Sequence, residues 1–363
     1  MKPQWREWLA YALLILFAFL LRLPHFTPLA LIGSDGSEYV YCVQEGVFPH
    51  SPYILHMWAG FLLDPIVRLD WGYSALSMVS NLLSILLFGG VVRALTGSFW
   101  SGWFAALVLT VTPVSIRFAG FQEVYAFQFF WIALCWYLLL RKRFFFWSGV
   151  ALGAAFSTHT GTVFAGPTTA VLIYQTVGDR LFTRKTLVTF MKFGLGFLAP
   201  VILAFGWLTS IWLTKSNQPL SLLPVFIRGA APSPNLGLLF GPQAGDYLEE
   251  QIFRTWNDLS NLEVIGPALL AGGVLSFALV PISRSLPWLL LTLPYLLYEV
   301  AMGYALDPGI FLIFVAPTVS VGVGYLFWRF LAFNRKGWGL ILLIPLIAIG
   351  LGASFTLKDF QRT

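Results

Sequence analysis

Long apolar segments recur from one end of the chain to the other, and they decide what it can fold into. Of its 363 residues, 58% are hydrophobic and 10% are charged, whereas about a quarter of the residues in a soluble protein are charged. A helix that crosses a membrane needs about 20 apolar residues, because each residue adds about 1.5 Å to its length. The sequence therefore predicts an all-α polytopic membrane protein, with about eleven transmembrane helices in one domain over residues 1–363. The predicted spans are residues 8–23, 73–94, 99–116, 124–140, 144–158, 162–177, 188–213, 262–281, 286–302, 309–328 and 338–355.

Basic residues in the short loops set the orientation. The positive-inside rule places most Lys and Arg in the cytoplasm when the N-terminus, interpreted as a retained first helix, is also cytoplasmic. The rule predicts that segment 52–70 does not cross, because a crossing there would move every later basic loop outside. This segment, with Ser51 and Pro52 as its cap and first turn, is predicted to form a helix in the membrane interface. The pair of spans over 144–177 is short, which favours broken or re-entrant helices.

Acidic residues collect on the predicted outer side. Only Glu7 and Asp179 fall on the cytoplasmic side, although acids contribute little to orientation. This asymmetry predicts that the chemistry takes place on the extracytoplasmic face of the plasma membrane. Two outer loops stand out, residues 30–72 and residues 215–261. The second is predicted to be a lid or acceptor-binding region, with a helix that starts at a capping box formed by Asp246 and Glu249.

Several classes of protein do not fit the sequence. The formal charge of +6 comes from basic residues in short loops, and no basic stripe with interleaved aromatic residues indicates a nucleic-acid partner. Cys42 and Cys135 predict neither a disulfide nor a Cys/His metal site. His50 and His56 do not have the i, i+4 spacing of a zinc pair.

Two acids, Asp35 and Glu38, follow directly on the first apolar segment. Their spacing is that of a capping box at a helix start, which is a purely structural role. A carboxylate fixed at a helix start and partly stripped of water can also serve as a general base. The two interpretations are compatible, and the sequence leaves both open.

Other polar residues fall at the outer ends of predicted spans. Glu123 stands at the entrance of a strongly apolar helix, where it forms either a salt bridge with Arg117 or part of a functional site. His159 ends a Gly/Ala-rich helix, as a satisfied polar contact or as a site residue. Three outward arginines are candidates for binding an anion, because a guanidinium donates two parallel hydrogen bonds to a phosphate. They are Arg117, Arg228 and Arg254.

The first outer loop resembles that of a known family. Asp35-x-x-Glu38, followed by Gly46-Val47-x-Pro49-His50-Ser51-Pro52-Tyr53, is similar to Asp-Ser-Gly-Glu and Gly-Val-x-His-Pro-Pro-Gly-Tyr-Pro of protein O-mannosyltransferase-like GT-C glycosyltransferases. Three further motifs match in the family's order, so that the resemblance covers residues 30 to 175. They are Asn81-Leu82-Leu83-Ser84, Glu123-Val124-Tyr125-Ala126 and His159-Thr160. The chain departs from the family by the exchange of Gly36 and Ser37 and by the shortened His-Ser-Pro-Tyr, and no family motif occurs beyond residue 180.

The resemblance implies a GT-C bundle with interfacial helices in the first outer loop, and an enzyme of the hexosyl- or mannosyltransferase type. The donor would be a polyprenyl-phosphate sugar, and the acceptor a hydroxyl of a protein, a glycan or a lipid. Asp35 is the expected general base, with Glu38 and Glu123 as the other catalytic acids, and the reaction inverts the anomeric carbon. No cofactor is required, although the acids could hold a divalent metal. The expected substrate-binding residues are His50, Tyr53, Arg117, Tyr125, His159, Arg228 and Arg254.

Two other functions remain open at the level of the sequence. A lipid or solute transporter or flippase would place charged residues near the middle of the membrane, between repeated halves. This chain shows no repeat, and its acids gather at one interface. A non-catalytic subunit on a GT-C fold is the other alternative, and the shortened His-Ser-Pro-Tyr motif is compatible with it.

Overall fold

The computed structural model describes most of the chain. The described residues are 5–26, 28, 35–46, 53–178, 183–215, 241–242, 244–260, 265–278, 280–302, 308–333 and 351. Within these ranges the regular elements are helices, and no strand occurs. They are α1 (Trp5–Arg22), α2 (Asp35–Glu45), α3 (Ile54–Leu63), α4 (Leu69–Thr96), α5 (Phe99–Val111), α6 (Pro113–Arg117), α7 (Val124–Leu140), α8 (Phe145–Thr158), α9 (Gly166–Val177), α10 (Arg184–Lys215), α11 (Ala244–Ser260), α12 (Pro267–Ala278), α13 (Ile282–Met302), α14 (Pro308–Phe314) and α15 (Ala316–Phe333), with 3₁₀ turns at Leu23–His25 and Thr160–Ala165.

The helical segments agree with a membrane protein. In the described part of the chain, four segments are long and apolar enough to cross a bilayer, namely Trp5–His25, Leu69–Thr96, Arg184–Thr214 and Phe311–Arg329. Five shorter apolar helices accompany them, namely Ile54–Leu63, Phe99–Val111, Val124–Leu140, Phe145–Thr158 and Pro267–Phe277. The prediction of an all-α integral membrane protein is confirmed. The predicted span 338–355 falls outside the described residues, apart from Leu351.

One predicted span is interrupted next to a proline, and another begins with a 3₁₀ turn. The span 99–116 stops at Val111, because Thr112 is extended with φ −65° and ψ 125° and the residue before a proline is disfavoured in the helical conformation. Pro113 then begins the short helix α6. The predicted span 162–177 starts within the 3₁₀ turn Thr160–Ala165, and α9 begins at Gly166. Whether the pair over 144–177 is broken or re-entrant in the membrane stays a prediction.

The starts of three predicted helices can be compared with the structure. Helix α2 has Asp35 as its first residue, one position inside the N-cap place that the capping-box spacing predicted. Helix α3 begins at Ile54 after Tyr53 as N-cap, which is later than a cap at Ser51 and a first turn at Pro52, so that boundary was wrong. Helix α11 begins at Ala244. Asp246 therefore lies in its first turn and is not the N-cap, although an acid there still favours the helix dipole.

The chain divides into two compact units. The first comprises Met1–His25, Leu82–Ala119 and Pro232–Thr363, and the second comprises Phe26–Asn81 and Gly120–Ala231. In the first unit α5 is largely buried, and its Phe104 stacks on Phe327 of α15 with 4.2 Å between ring centroids. Arg22 is fully buried at the end of α1 and donates to the Ser115 hydroxyl over 2.8 Å.

The second unit is built around the contact of α8 with α10. Gly149 and Gly153 of α8 lie directly against the backbone carbonyls of Phe193 and Phe197 on α10. Gly196 of α10 meets the carbonyl of Phe146 in the same way. Small residues at such positions let two helix backbones approach closely, which is a common way of joining helices in membranes. This contact holds α8, whose C-terminal end carries part of the candidate site.

Replacing Gly149 by alanine should therefore destabilise the protein. The added methyl group would collide with the backbone of α10, and overpacking of this kind costs about 1–3 kcal/mol. The matched control is Gly194→Ala on α10, where an added Cβ meets no atom within 4 Å. The control should be neutral or stabilising, since alanine favours a helix over glycine by about 1 kcal/mol. Thermal unfolding in detergent measures both variants, and equal melting temperatures would contradict the assignment of the contact.

Candidate active site

Three of the predicted substrate-binding residues lie in contact in the second unit. His159 is the C-cap of α8, and Tyr53 is the N-cap of α3. Their rings are stacked, with centroids 5.3 Å apart and 14° between the planes. Tyr125, in the first turn of α7, lies at 5.9 Å from the same imidazole. Both tyrosines are buried. The first outer loop and the starts and ends of two later helices therefore meet at His159.

Hydrogen bonds fix both the orientation and the tautomer of His159. The backbone N–H of Gly161 donates to its Nδ1 over 3.0 Å. An imidazole nitrogen that accepts carries no proton, so this bond assigns the neutral ring with its hydrogen on Nε2. The His159 carbonyl in turn accepts from the Thr162 hydroxyl at 2.9 Å and from the Gln128 amide at 3.4 Å. Gln128 also donates to the Thr162 oxygen over 2.8 Å.

The protonation of His159 follows from its surroundings. Burial lowers its pKa from 6.5 to about 4, although the residue keeps some exposed surface. The ring is therefore neutral at pH 7 and offers one N–H donor, which is Nε2–H. A neutral donor of this kind can bind a sugar hydroxyl or a phosphate oxygen, and it cannot act as a strong acid.

The backbone around Glu123 is clamped from two sides. Glu123 is the N-cap of α7, and its carbonyl accepts from the Ser77 hydroxyl on α4 over 3.2 Å. The side chain of the preceding Gln122 is buried and donates to the carbonyl of Pro28 at 2.8 Å and to that of Asp70 at 3.3 Å. Gln122 thus links Pro28 and the start of α4 to each other, directly beside Glu123 in the chain.

The N-terminal turn of α2 belongs to the same region. The helix begins at Asp35, and Glu38 lies within its first turn and is partly exposed. Tyr39 is fully buried and meets the Tyr53 ring edge-on, with centroids 5.3 Å apart. Helix α2 therefore reaches Tyr53, and the imidazole stacked on it, through Tyr39.

An aromatic box next to these residues was not predicted. His56 of α3 is fully buried, stacked on Tyr73 at 4.5 Å and met edge-on by Tyr39 at 5.0 Å. Burial lowers the pKa of His56 to about 3, with the Gln122 backbone as a smaller opposing influence. Neither ring nitrogen has a hydrogen-bonding partner at good geometry among the described residues. The available signal was the i, i+3 spacing of Tyr53 and His56, which places both on one face of α3.

Two of the remaining predicted residues belong to the first unit, and two fall outside the described residues. Arg117 ends α6 in the first unit, where its guanidinium lies 5.7 Å from the Phe118 ring centroid. Arg254 is exposed on α11, also in the first unit. His50 and Arg228 fall outside the described residues. The phosphate-binding role of the three arginines stays a prediction, as does an ion pair between Arg117 and Glu123. In the described part of the chain, no three His, Cys, Asp or Glu side chains gather closely enough to bind a metal ion.

The sequence and the fold were compared with those of known proteins, and only the fold has similar counterparts among the matches. No family model and no curated protein matches the sequence. The fold is similar to ArnT from Cupriavidus metallidurans bound to undecaprenyl phosphate, with a TM-score of 0.62, 13% identity, and coverage of 93% of this chain and 63% of ArnT. It is also similar to the oligosaccharyltransferase AglB from Archaeoglobus fulgidus in complex with an inhibitory peptide and a dolichol-phosphate. That match has a TM-score of 0.54 and 13% identity, and covers 98% of this chain and 55% of AglB.

This chain has the GT-C fold. The predicted bundle is thereby confirmed, and with it an integral membrane protein. The chain spans 63% of ArnT and 55% of AglB, and identities of 13% carry the architecture and not the activity. The narrower resemblance to protein O-mannosyltransferases rests on the first-loop motifs and stays a prediction.

The lowered pKa of His159 predicts how stability depends on pH. Between pH 6.5 and about 4 the unfolded chain binds a proton on this residue and the folded chain does not. His159 therefore favours unfolding as the pH falls through this window, and its destabilising effect is absent above the window. In His159→Asn, whose side-chain oxygen can still accept from Gly161, the loss of melting temperature between pH 6.5 and 4.5 should be smaller. Thermal unfolding in detergent across this range tests it, and an unchanged pH slope would show that His159 titrates normally.

Proposed function

We propose that this protein is a membrane glycosyltransferase that moves a sugar from a polyprenyl-phosphate carrier to an acceptor hydroxyl. The observation that supports it is the contact of Tyr53, Tyr125 and His159 within a GT-C fold. This contact brings three of the resembling motifs, which are distant in sequence, to one place. The similar solved structures hold undecaprenyl phosphate and dolichol-phosphate, which is the carrier chemistry that the motifs imply.

The reaction would be a direct displacement at the anomeric carbon. The acceptor oxygen attacks that carbon while Asp35 takes the hydroxyl proton as general base. The bond from the anomeric carbon to the phosphate oxygen breaks, and its electron pair leaves with the polyprenyl phosphate. One displacement inverts the configuration of the sugar. The leaving group is a phosphate monoester, which needs no metal to depart.

The other site residues would orient the reactants. Glu123, whose backbone is held by Ser77 and follows the clamped Gln122, would bind the acceptor hydroxyl or share the acid–base work. Glu38 and His50 would contact the sugar from the first outer loop. The neutral His159 would donate its Nε2–H to a sugar hydroxyl or a phosphate oxygen, with Tyr53 and Tyr125 fixing its ring plane. Such positioning contributes to rate because the reacting atoms must meet in one geometry.

The donor phosphate requires cations, and Arg117, Arg228 and Arg254 are the proposed ones. The distribution of basic loops supports a site on the extracytoplasmic face with the N-terminus in the cytoplasm. The first-loop resemblance supports a hexose such as mannose as the donor sugar. The acceptor is a hydroxyl on a protein, a glycan or a lipid.

The substitution Asp35→Asn should lower the turnover rate about 10²–10⁴-fold, because an amide cannot take the proton from the acceptor hydroxyl. The measurement is the release of free polyprenyl phosphate from a panel of polyprenyl-phosphate hexoses by the purified protein in proteoliposomes. The matched control is Glu45→Gln, which neutralises an exposed acid on the same helix and should leave turnover unchanged.

The alternatives give results in the same assay that differ from the one expected for the proposed function. A transporter or a non-catalytic subunit would release no polyprenyl phosphate from any donor of the panel. Full turnover by Asp35→Asn would show that another group is the base. Retention of configuration in the product would contradict the single displacement.

A further inference from the structure

Two arginines lie at the adjoining ends of α13 and α15, which both belong to the first unit. Arg284 is in the first turn of α13, and its guanidinium carbon lies 4.8 Å from the ring centroid of Trp328 on α15. Arg284 is also close enough to Tyr325 to interact electrostatically with its hydroxyl. Tyr325, Trp328 and Arg329 are at i, i+3 and i+4 of α15 and therefore share one face of that helix. Arg329 thus belongs to the face of α15 that Arg284 contacts.

The positive charge of this pair is not balanced by acids. No Asp or Glu occurs in residues 264–298 or 308–357, so neither helix brings an acid to this end. Within the part of the chain that the structure describes, neither Arg284 nor Arg329 is ion-paired. The Nε of Arg329 is buried and has no hydrogen-bond acceptor there.

This arrangement calls for an anion. Two guanidinium groups repel each other more strongly in apolar surroundings than in water, and a buried donor without an acceptor loses the hydrogen bond it made to water. Arg284 and Arg329 are both half-buried, and the Tyr325 hydroxyl on the same face belongs to a side chain that is almost fully buried. An oxyanion next to these groups would lower the repulsion and accept their hydrogen bonds.

The position along the helices is that of a lipid headgroup. Arg329 is the last residue of Phe311–Arg329, a segment long and apolar enough to cross a bilayer. Ile282 at the start of α13 is 68% exposed, as an apolar side chain that faces lipid would be. Tryptophan is enriched where acyl chains give way to water, and Trp328 lies one residue before the end of the segment. The positive-inside rule predicts that this end is cytoplasmic.

We propose that Arg284 and Arg329 bind the phosphate of an anionic phospholipid between the ends of α13 and α15. Arg329 donates through its Nε, and Arg284 donates in the plane of its guanidinium while the face of that group rests on Trp328. An arginine can stack on a ring and bind a phosphate at the same time, and such charge-assisted hydrogen bonds are strong. Basic sites between transmembrane helices are a known way of binding lipid headgroups. The bound lipid therefore holds together two helix ends whose charges would otherwise repel.

Thermal unfolding of the full chain in detergent micelles tests the site without any sugar donor, so its outcome is independent of the proposed activity. Dioleoylphosphatidylglycerol is added as the anionic lipid and dioleoylphosphatidylcholine as the neutral one. A ligand that binds only the folded state raises the melting temperature, so the wild type should melt at a higher temperature in phosphatidylglycerol. Arg284→Gln and Arg329→Gln should each lose most of this difference.

The matched control is Arg141→Gln in the second unit. Arg141 also lies 4.8 Å from an aromatic ring, that of Tyr137, but it is exposed and donates to the Tyr137 hydroxyl. The control should keep the full difference between the two lipids. A loss as large as that of the two site variants would show a diffuse attraction to basic surfaces and overturn the proposal.

The remaining outcomes separate a lipid site from a structural role. Melting temperatures of the wild type that are equal in the two lipids would overturn the proposal. So would a loss in Arg284→Gln and Arg329→Gln that is the same in both lipids, since the arginines would then only support the fold. Inorganic phosphate added to phosphatidylcholine micelles should have little effect, and stabilisation by it that depends on both arginines would identify a free anion instead of a lipid.

A further variant covers the case in which a glutamine substitution prevents folding. Arg329→Lys keeps the positive charge and lacks the Nε donor, so it should retain only part of the difference between the two lipids. Retention of the whole difference would contradict the role assigned to Nε.

Discussion

The stacked rings of Tyr53 and His159 are the contact on which the candidate site depends. Tyr53 stands at the start of α3 and His159 at the end of α8, so the pair joins the first outer loop to the helical part of the second unit. A loop as long as the first outer loop, residues 30–72, loses considerable conformational entropy when it becomes ordered. The aromatic contact offsets part of that loss, and Tyr39 extends it to α2. The position of Asp35 is therefore tied, through one helical turn, to an imidazole more than a hundred residues away.

Breaks in the helices are what make such a site possible in an apolar protein. Backbone groups freed at a helix end must be satisfied, because lipid offers no hydrogen bonds. The turn after α8 meets this demand locally, since His159 accepts from Gly161 and the Thr162 hydroxyl returns to the His159 carbonyl. The same hydrogen bonds therefore satisfy the backbone after α8 and orient the His159 side chain.

The sequence predicted some parts of this arrangement and not others. Apolar length predicted the helical membrane class, and the ordered motifs contain Tyr53, Tyr125 and His159, whose rings lie in contact in the structure. His56 was dismissed because its spacing did not suit zinc, yet its surroundings are aromatic and come from α2, α4 and α7. Gln122 acts through two carbonyls distant in sequence. Partners of this kind are set by tertiary packing, which neither periodicity nor spacing encodes. Pro113 explains the early end of α5, because Thr112 before it leaves the helical region.

The neutral state of His159 has a consequence for the proposed chemistry. A cationic imidazole near the site would attract the carboxylates around it, lower their pKa values and weaken any of them as a base. A neutral ring with its proton on Nε2 donates a hydrogen bond without that effect. In the proposed mechanism Asp35 would therefore act as the base without a cationic imidazole beside it, and arginines would supply the positive charge for the leaving phosphate. The proposed base and the proposed anion-binding groups are thus different types of residue.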